Sequence, residues 1–353
     1  LAVNSADRST RSMHGRALRQ VGVIQADLGN HPEANRASRK SIAIFEDLVA
    51  ESDAPSDHLG LAESHLSLAE NLKLENRLAE ARDQSEIALE LARQLVDKFP
   101  NSTQIKVVEC NCYESLGTTL GGMGKLPEAE EALRKVIAIR GQLPSKLQSP
   151  KRLAAAYHNL GTVLLQSGKY EDAESLLVRA IEIQEPIVKT NPEFQIPREF
   201  LAKHYSQLAK VFKNSDRNER SVDYYNESIE HLEKLVSDYP RIPTFRFNLA
   251  RSYLNLGTLQ SELGIPRQAV SSFDQSIEHL ALLDEGFEDT YRFCDSLAQA
   301  YTEIARVLAV SFSDYEGSAQ CLGKAIELQK SLVREFPSES PHRTNLANLY
   351  NNL

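Results

Sequence analysis

No stretch of about 20 apolar residues occurs in the chain, so it carries no segment built to span a bilayer. The opening residues, Leu1 to Thr10, show neither the apolar core nor the cleavage pattern of a secretory signal. Cysteine is scarce: Cys110, Cys112, Cys294 and Cys321 are too few and too unevenly placed for a disulfide framework. They fit a reducing compartment, which points to the cytoplasm. Positive charge is in deficit, with a formal net charge of -9, which argues against nucleic-acid or anionic-membrane partners, since both need a basic surface. Pro/Gly/Ser-rich linkers are missing too, so a continuous architecture is considered before separate domains.

Chemistry is equally thin. Gly124-Lys125 and Gly168-Lys169 lack the earlier Gly and the following Ser or Thr of a phosphate loop. Cys110 and Cys112, two residues apart on a helix, point about 200° from one another, and no His or Cys cluster adds ligands. No Gly-x-Ser-x-Gly elbow or distinct carboxylate pair stands out. His231 and His279 share a Ser-Ile-Glu-His-Leu context, which internal repetition explains better than catalysis does. The expectation is a segment without catalytic residues, metal or cofactor.

What is present is a repeat. With 41% hydrophobic and 25% charged residues the chain has enough apolar side chains for an ordered core, and they recur. Gly22, Ala69, Gly117, Gly161, Ala209, Gly257 and Ala305 follow one another at about 48 residues, with one shorter interval before Gly161. Four positions earlier stands Leu18, His65, Tyr113, Tyr157, Tyr205, Tyr253 or Tyr301, and immediately before the small residue stands Val, Leu or Ile. That spacing is helical. Twelve or thirteen residues downstream comes a second small residue, Ala34, Ala81, Ala129, Ala173, Ser221, Ala269 or Ser318, then an aliphatic anchor such as Ile42 or Ile229.

Each unit therefore reads as two amphipathic helices, A and B, closed by a tight turn that Gly29, Gly124, Gly168 and Gly264 mark in four of the seven units. The small residues let the two backbones approach closely. Helix B is expected to end near Pro100, Pro192, Pro240 and Pro337, where the ring breaks the hydrogen-bond ladder. The tyrosines from Tyr113 to Tyr350 lie on the same apolar stripe and read as packed rings whose hydroxyls reach a neighbour, rather than as a stacking platform for bases.

The fourth unit, with Tyr157, Leu160, Gly161, Leu164, Gly168, Tyr170, Ala173, Leu177 and Ala180, resembles the tetratricopeptide repeat position by position. The resemblance covers about Arg11 to Leu353. It departs from the family in period, about 48 residues rather than 34, and is closer to the lengthened repeats of kinesin-light-chain-like arrays and of arrays attached to bacterial serine/threonine kinases and regulators. It implies an all-α fold, a right-handed solenoid of stacked antiparallel hairpins. Residues 1–10 are expected as a linker or the start of a fragment. Residues 11–353 are expected as a single solenoid of seven hairpins plus the first half of an eighth helix A. A chain that starts at Leu1 and stops at Leu353 inside the repeat reads as a piece of something longer.

In the resembling family, helix A lines a concave groove. Two positions before each small residue stand Gln20, Ser67, Ser115, Asn159, Gln207, Asn255 and Glu303, with Asn352 beginning an eighth. In related arrays an asparagine here bonds the backbone of an extended peptide, a role that Asn159, Asn255 and Asn352 match, since an amide both donates and accepts. A polar stripe also simply solvates an open helix face, and the sequence leaves both readings standing. Lys203, Lys210, Lys213, Arg251 and Arg306 make the second half of this face basic, while Glu63, Glu70 and Glu114 make the first half acidic. The expected function is a scaffold holding a peptide or partner domain, with an acidic segment or carboxyl terminus in the basic half. The alternatives are a regulatory or substrate-recruiting arm of a larger enzyme such as a bacterial serine/threonine kinase, and an element that self-associates through exposed end repeats.

Overall fold

The computed structural model describes residues 2–144, 146–283, 290–336 and 340–353. Among them every regular element is a helix, and they fall into two compact units, Leu1–Leu176 and Leu177–Leu353. The first holds α1 (Ala2–Asp27), α2 (His31–Glu51), α3 (Pro55–Leu74), α4 (Leu78–Lys98), α5 (Thr103–Gly122), α6 (Leu126–Gln142) and α7 (Pro150–Gln166). The boundary falls within α8 (Tyr170–Thr190). The second holds α9 (Gln195–Asn214), α10 (Asn218–Asp238), α11 (Pro243–Glu262), α12 (Pro266–Ala281), α13 (Thr290–Phe312), α14 (Tyr315–Glu335) and α15 (Ser340–Asn352). Odd-numbered helices are the A helices of the repeat and even-numbered ones the B helices. Positions 2–10, expected as a linker or the start of a fragment, are helical and open α1.

Proline punctuates the chain as its missing N–H dictates. It sits in the first turn of α3, α7, α11 and α12, where no intrahelical partner is lost. It also follows α4, α8 and α10 by two residues, at Pro100, Pro192 and Pro240; Pro337 lies outside the described residues. The hairpin turns are more uniform than the four glycines suggested. Gly29, Gly124, Gly168 and Gly264 have φ between 70° and 77°, and Asn76, Asp216 and Ser313 adopt the same left-handed conformation at 54° to 59° in the other three turns. The backbone bonding is shared by six of the seven turns, whereas after Ser313 the Asp314 N–H reaches one residue further back, to Leu308 O at 3.0 Å. Arg77 N donates to Leu72 O, Lys169 N to Leu164 O and Arg217 N to Phe212 O, each at 2.9 Å, the six-to-one bond that closes a helix C-terminus.

Within each unit, a core layer draws on neighbouring hairpins. Leu59 and Ala62 of α3 pack with Ala88, Leu89, Ala92 and Leu95 of α4 and with Ile105, Val108 and Cys112 of α5. In the second unit, Tyr225, Ile229, Leu232 and Leu235 of α10 are buried between α9 and α11. Helices approach closely at the repeated small residue: a methyl group on Gly257 would stand 2.7 Å from the fully buried ring of Phe273, and one on Gly117 would stand 2.7 Å from Leu133. Several buried hydroxyls are satisfied across the same seams, although Ser276 Oγ, the counterpart of Ser228, has no partner among the described residues. Ser41 Oγ donates to Gly15 O at 2.7 Å and Ser228 Oγ to Ala202 O at 2.9 Å, so both sit in the core without an orphaned donor.

The shared left-handed turn predicts substitutions of opposite sign. Gly168 has open space where a Cβ would be, so Gly168→Ala adds only conformational strain and should cost about 1 kcal/mol. Ser313→Gly should stabilise by up to about 1 kcal/mol, because it relieves the same strain. Urea midpoints of the two variants moving in the same direction would show that the turn conformation is not what sets the difference.

Candidate functional site

The groove residues expected from the sequence lie on A helices. α9 touches α11 and α11 touches α13, as stacked hairpins require. Polar rungs join consecutive A helices at 45 to 49 residues' separation: Lys73 Nζ to Thr118 Oγ1 at 3.0 Å, Lys213 Nζ to Glu262 Oε1 at 2.8 Å, Asn248 Nδ2 to Glu199 Oε1 at 3.2 Å and Arg306 Nη2 to Ser261 Oγ at 3.1 Å.

These rungs, together with ion pairs inside single helices, thin out the charge patterning. Lys203 pairs with Glu199 at 2.7 Å, Lys213 with Glu262 at 2.8 Å and Arg306 with Glu303 at 2.8 Å. The acidic half is neutralised too: Glu63 pairs with Arg19, Glu70 with Lys73, and Glu114 with the buried Arg140. Lys210 and Arg251 are brought together on α9 and α11. Lys210 is half-buried and has no carboxylate partner among the described residues. Burial lowers its pKa from the ordinary lysine value, and Arg251 lowers it further.

The amide ladder divides similarly. Ser67 and Ser115 are buried, not open: Ser115 Oγ lies 3.1 Å from Ser85 Oγ and Ser67 Oγ 3.4 Å from Ser38 Oγ, each on the preceding B helix. Asn159, in the first unit, lines a cavity of 400 Å³ with Glu70, Lys73 and Arg152, and its amide donates to Glu114 at 3.4 Å. Gln207 and Asn255 are half-buried on α9 and α11, and Asn352 is exposed at the end of α15.

Sequence reading passed over aromatic rings that accompany the cations. Lys203 Nζ lies 5.3 Å from the centre of the Phe200 ring, and the Arg251 guanidinium lies 5.7 Å from that of Phe247. Phe247 in turn sits 5.0 Å from Phe293 on α13. The signal was there, since Phe and cation stand three or four residues apart on one helix face.

The tyrosines are less deeply packed than expected. Tyr205 is buried, Tyr113, Tyr157, Tyr253 and Tyr301 are half-buried, and Tyr350 is 51% exposed. Two of their hydroxyls do reach a neighbour. Tyr205 donates to Glu185 at 2.6 Å and stacks on His231 with centroids 5.7 Å apart; Tyr253 donates to Glu233 at 2.5 Å and stacks on His279 at 6.0 Å. The repeated Ser-Ile-Glu-His-Leu context thus supplies the ring that packs on the tyrosine of the A helix in the same hairpin. Burial and then the Glu185 contact raise the Tyr205 pKa, while the same bond holds Glu185 below the usual carboxylate range.

Cys110 and Cys112 are both buried, and burial pushes their thiols up to about 11 and about 12. No group of three or more metal-ligating side chains occurs among the described residues. No described helix is long and apolar enough to cross a membrane.

A family model described as tetratricopeptide repeat matches residues 110–143 and 153–188. Among solved structures, the chain is similar to BtubC (BKLC) from P. vanneervenii, with 20% identity over 72% of this chain and 92% of that one and a TM-score of 0.56. It is similar to the apo form of RapI, with 16% identity over 88% and 98% of the two chains and a TM-score of 0.55. A signal transduction ATPase with numerous domains from Pyrococcus horikoshii, which has a tetratricopeptide repeat sensor, aligns with 94% of this chain and 44% of its own, at 16% identity and a TM-score of 0.60. Comparison with curated protein sequences returns no match. At these identities the structural likeness is one of fold. The described residues form an all-α helical-repeat array similar to tetratricopeptide-repeat arrays, with two of its repeats matched by the family model.

The histidines that brace the second unit give it a pH dependence. Burial lowers both pKa values; Arg198 on α9 and Arg246 on α11 lower them further, against Glu185 and Glu230 near His231 and Glu233 and Glu278 near His279. Each histidine is therefore neutral in the fold at a pH where the unfolded chain, at about 6.5, already binds a proton. Stability is complete above about pH 7 and should fall as the pH drops through about 6.5 towards the folded values. Replacing both (H231Q/H279Q) should flatten the urea midpoint against pH between about 7 and 5.5. An unchanged slope would assign that proton uptake to other groups.

Proposed function

We propose that this chain is a protein-binding scaffold that holds an extended acidic segment, or a carboxyl-terminal peptide, along the face formed by α9, α11 and α13. In the family that the sequence resembles, the corresponding face of helix A is the concave one. The observation that carries the reading is Lys210: a half-buried ammonium beside Arg251, without a carboxylate, while Lys203, Lys213 and Arg306 each have one. Desolvating a cation next to another cation is unfavourable, and an incoming carboxylate offsets both effects. Lys offers a compact point charge and Arg a planar fork suited to the two carboxylate oxygens. Asn255 and Gln207, on the same two helices, are placed to bond the peptide backbone. The neighbouring Phe200, Phe247 and Phe293 provide apolar contact area.

A second reading, the sensing or recruiting arm of a larger protein, is favoured by the likeness to the Pyrococcus horikoshii protein, of which this chain spans 44%. It uses the same face and the same side chains, so one experiment bears on both.

The test is fluorescence anisotropy with a labelled acidic octapeptide of Glu and Asp, at two salt concentrations. Each charge reversal, Lys210→Glu or Arg251→Glu, should weaken binding by about tenfold or more, the size of one lost charge-assisted hydrogen bond. It should also reduce the salt dependence. Lys203→Glu, at a cation already paired, should change less. If affinity and salt dependence are the same in the wild type and in both Lys210 and Arg251 variants, this face does not bind the acidic peptide.

A further inference from the structure

At the far end of the second unit the same face changes character. A cavity of 240 Å³ opens between α13 and α15 and is floored by α14, with Asp295, Gln299, Gln329, Asn345, Asn348 and Asn352 in its wall. Among the described residues, no lysine, arginine or histidine lines it. Gln329 is 3% exposed, and its amide nitrogen donates to Asp295 Oδ1 at 2.9 Å. Its carbonyl oxygen, buried in the same wall, accepts no hydrogen bond among the described residues. Thr302, also in the wall, donates to Ala298 O at 2.7 Å and so presents only lone pairs to the cavity.

Counting groups decides the chemistry. A carboxylate, an orphaned amide oxygen and a committed hydroxyl are acceptors, and the amides of Asn345, Asn348 and Asn352 each add another acceptor beside their donors. The wall has surplus acceptors, and of its two carboxylates Glu303 is paired with Arg306 at 2.8 Å while Asp295 has no cationic partner among the described residues. Leaving a buried acceptor unpaired is costly, and the group that would satisfy it must donate. We propose that this cavity receives a basic side chain, an arginine or lysine, of the peptide held along the A-helix face. Its guanidinium or ammonium would donate to Asp295 and to the Gln329 carbonyl, and the asparagine amides would clasp its stem or the adjoining backbone. The volume suits one long side chain and not a folded surface. This inference rests on the peptide-binding reading above and adds charge order to it: the preferred ligand is acidic where it meets Lys210 and Arg251 and basic where it meets Asp295.

The probes are N-acetyl-arginine methylamide and its neutral isostere N-acetyl-citrulline methylamide, titrated at millimolar concentration against the whole chain and followed by amide chemical shifts. The arginine probe should shift residues of α13 and α15, and the citrulline probe should bind about tenfold more weakly or not at all. Asp295→Asn, which keeps shape but removes charge, should erase the preference. Because Gln329 is buried and its replacement risks unfolding, the exposed Asn348→Ala serves as the second variant and should weaken the arginine probe with an unaltered melting curve. Equal binding of the two probes, no binding of either, or an unchanged preference in Asp295→Asn overturns the assignment. Glycerol or a neutral sugar shifting the same residues as strongly as the arginine probe would also overturn it and mark a polyol site. Lys210→Glu should leave the arginine probe unaffected, so failure here is distinguishable from failure of the acidic-segment reading.

Discussion

A pair of antiparallel helices has two apolar stripes and only one seam between them, so a single hairpin leaves part of its apolar surface facing water. Everything in this chain follows from that shortfall. Phe45 of α2 packs against Gly15 of α1 and Gly60 of α3, and both glycines lack the Cβ that would collide with its ring. A B helix is thus wedged between the A helix of its own hairpin and that of the next, and the core exists only as a shared layer. Burying a ring of this size contributes roughly 1.5–3 kcal/mol, and that contribution belongs to two hairpins at once. The same wedge lets Ser41 bond the Gly15 carbonyl on one side and lie 2.8 Å from Ser64 on the other. The Ser41 hydroxyl is therefore compatible with an apolar core because it spans it.

Stacking at a fixed period also decides the fate of the surface charges. Once consecutive A helices lie side by side, residues about 41 to 49 apart become neighbours, and a charged residue finds or misses an opposite charge partly according to what its counterpart in the next repeat happens to be. Lys213 meets Glu262 and Glu63 meets Arg19, whereas Lys210 meets Arg251. Exposed pairs of this kind contribute at most about 1 kcal/mol each, so they hardly hold the stack together. Their larger effect is to cancel local charge and leave the half-buried Lys210 without a carboxylate among the described residues. Charge counted along the sequence overstated the basic half of this face for that reason. It treated five cations as equal, and the register makes Lys210 the one with an evident need for an anion.

Much of the architecture was legible because it depends on local chemistry. A small residue every 48 positions, an aromatic four before it and a proline after helix B need no knowledge of neighbours to be read. The turns were legible only where glycine occupied them: Asn76, Asp216 and Ser313 adopt the same left-handed backbone, held there by the packing of the two helices they join. Burial of Ser67 and Ser115 was not legible, since a serine on helix A looks identical whether it faces water or Ser38 and Ser85 of the preceding B helix. Nor was the cavity beside Gln329, whose wall comes from three helices. The Tyr–His stacks fall between these cases. The repeated histidine was plain in the sequence, but its partner ring lies 26 residues upstream, on the other helix of the hairpin.

The feature that makes the array foldable also ties ligand binding to stability. Lys210 and Arg251 stand on consecutive A helices, so an anion bridging them adds an attraction across an interface that the bare protein leaves with a repulsion. A cation between Asp295 and Asn348 would tie α13 to α15 in the same way. In a stack held by nearest-neighbour interfaces, strengthening one of them raises the cost of separating every hairpin beyond it. A peptide laid along the face would therefore stabilise the second unit by an amount set by its concentration relative to its dissociation constant, about 2.7 kcal/mol at a hundredfold excess. On the proposed reading, recognition and cohesion in the second unit draw on the same few seams, so a peptide held at one of them would be felt by every hairpin beyond it.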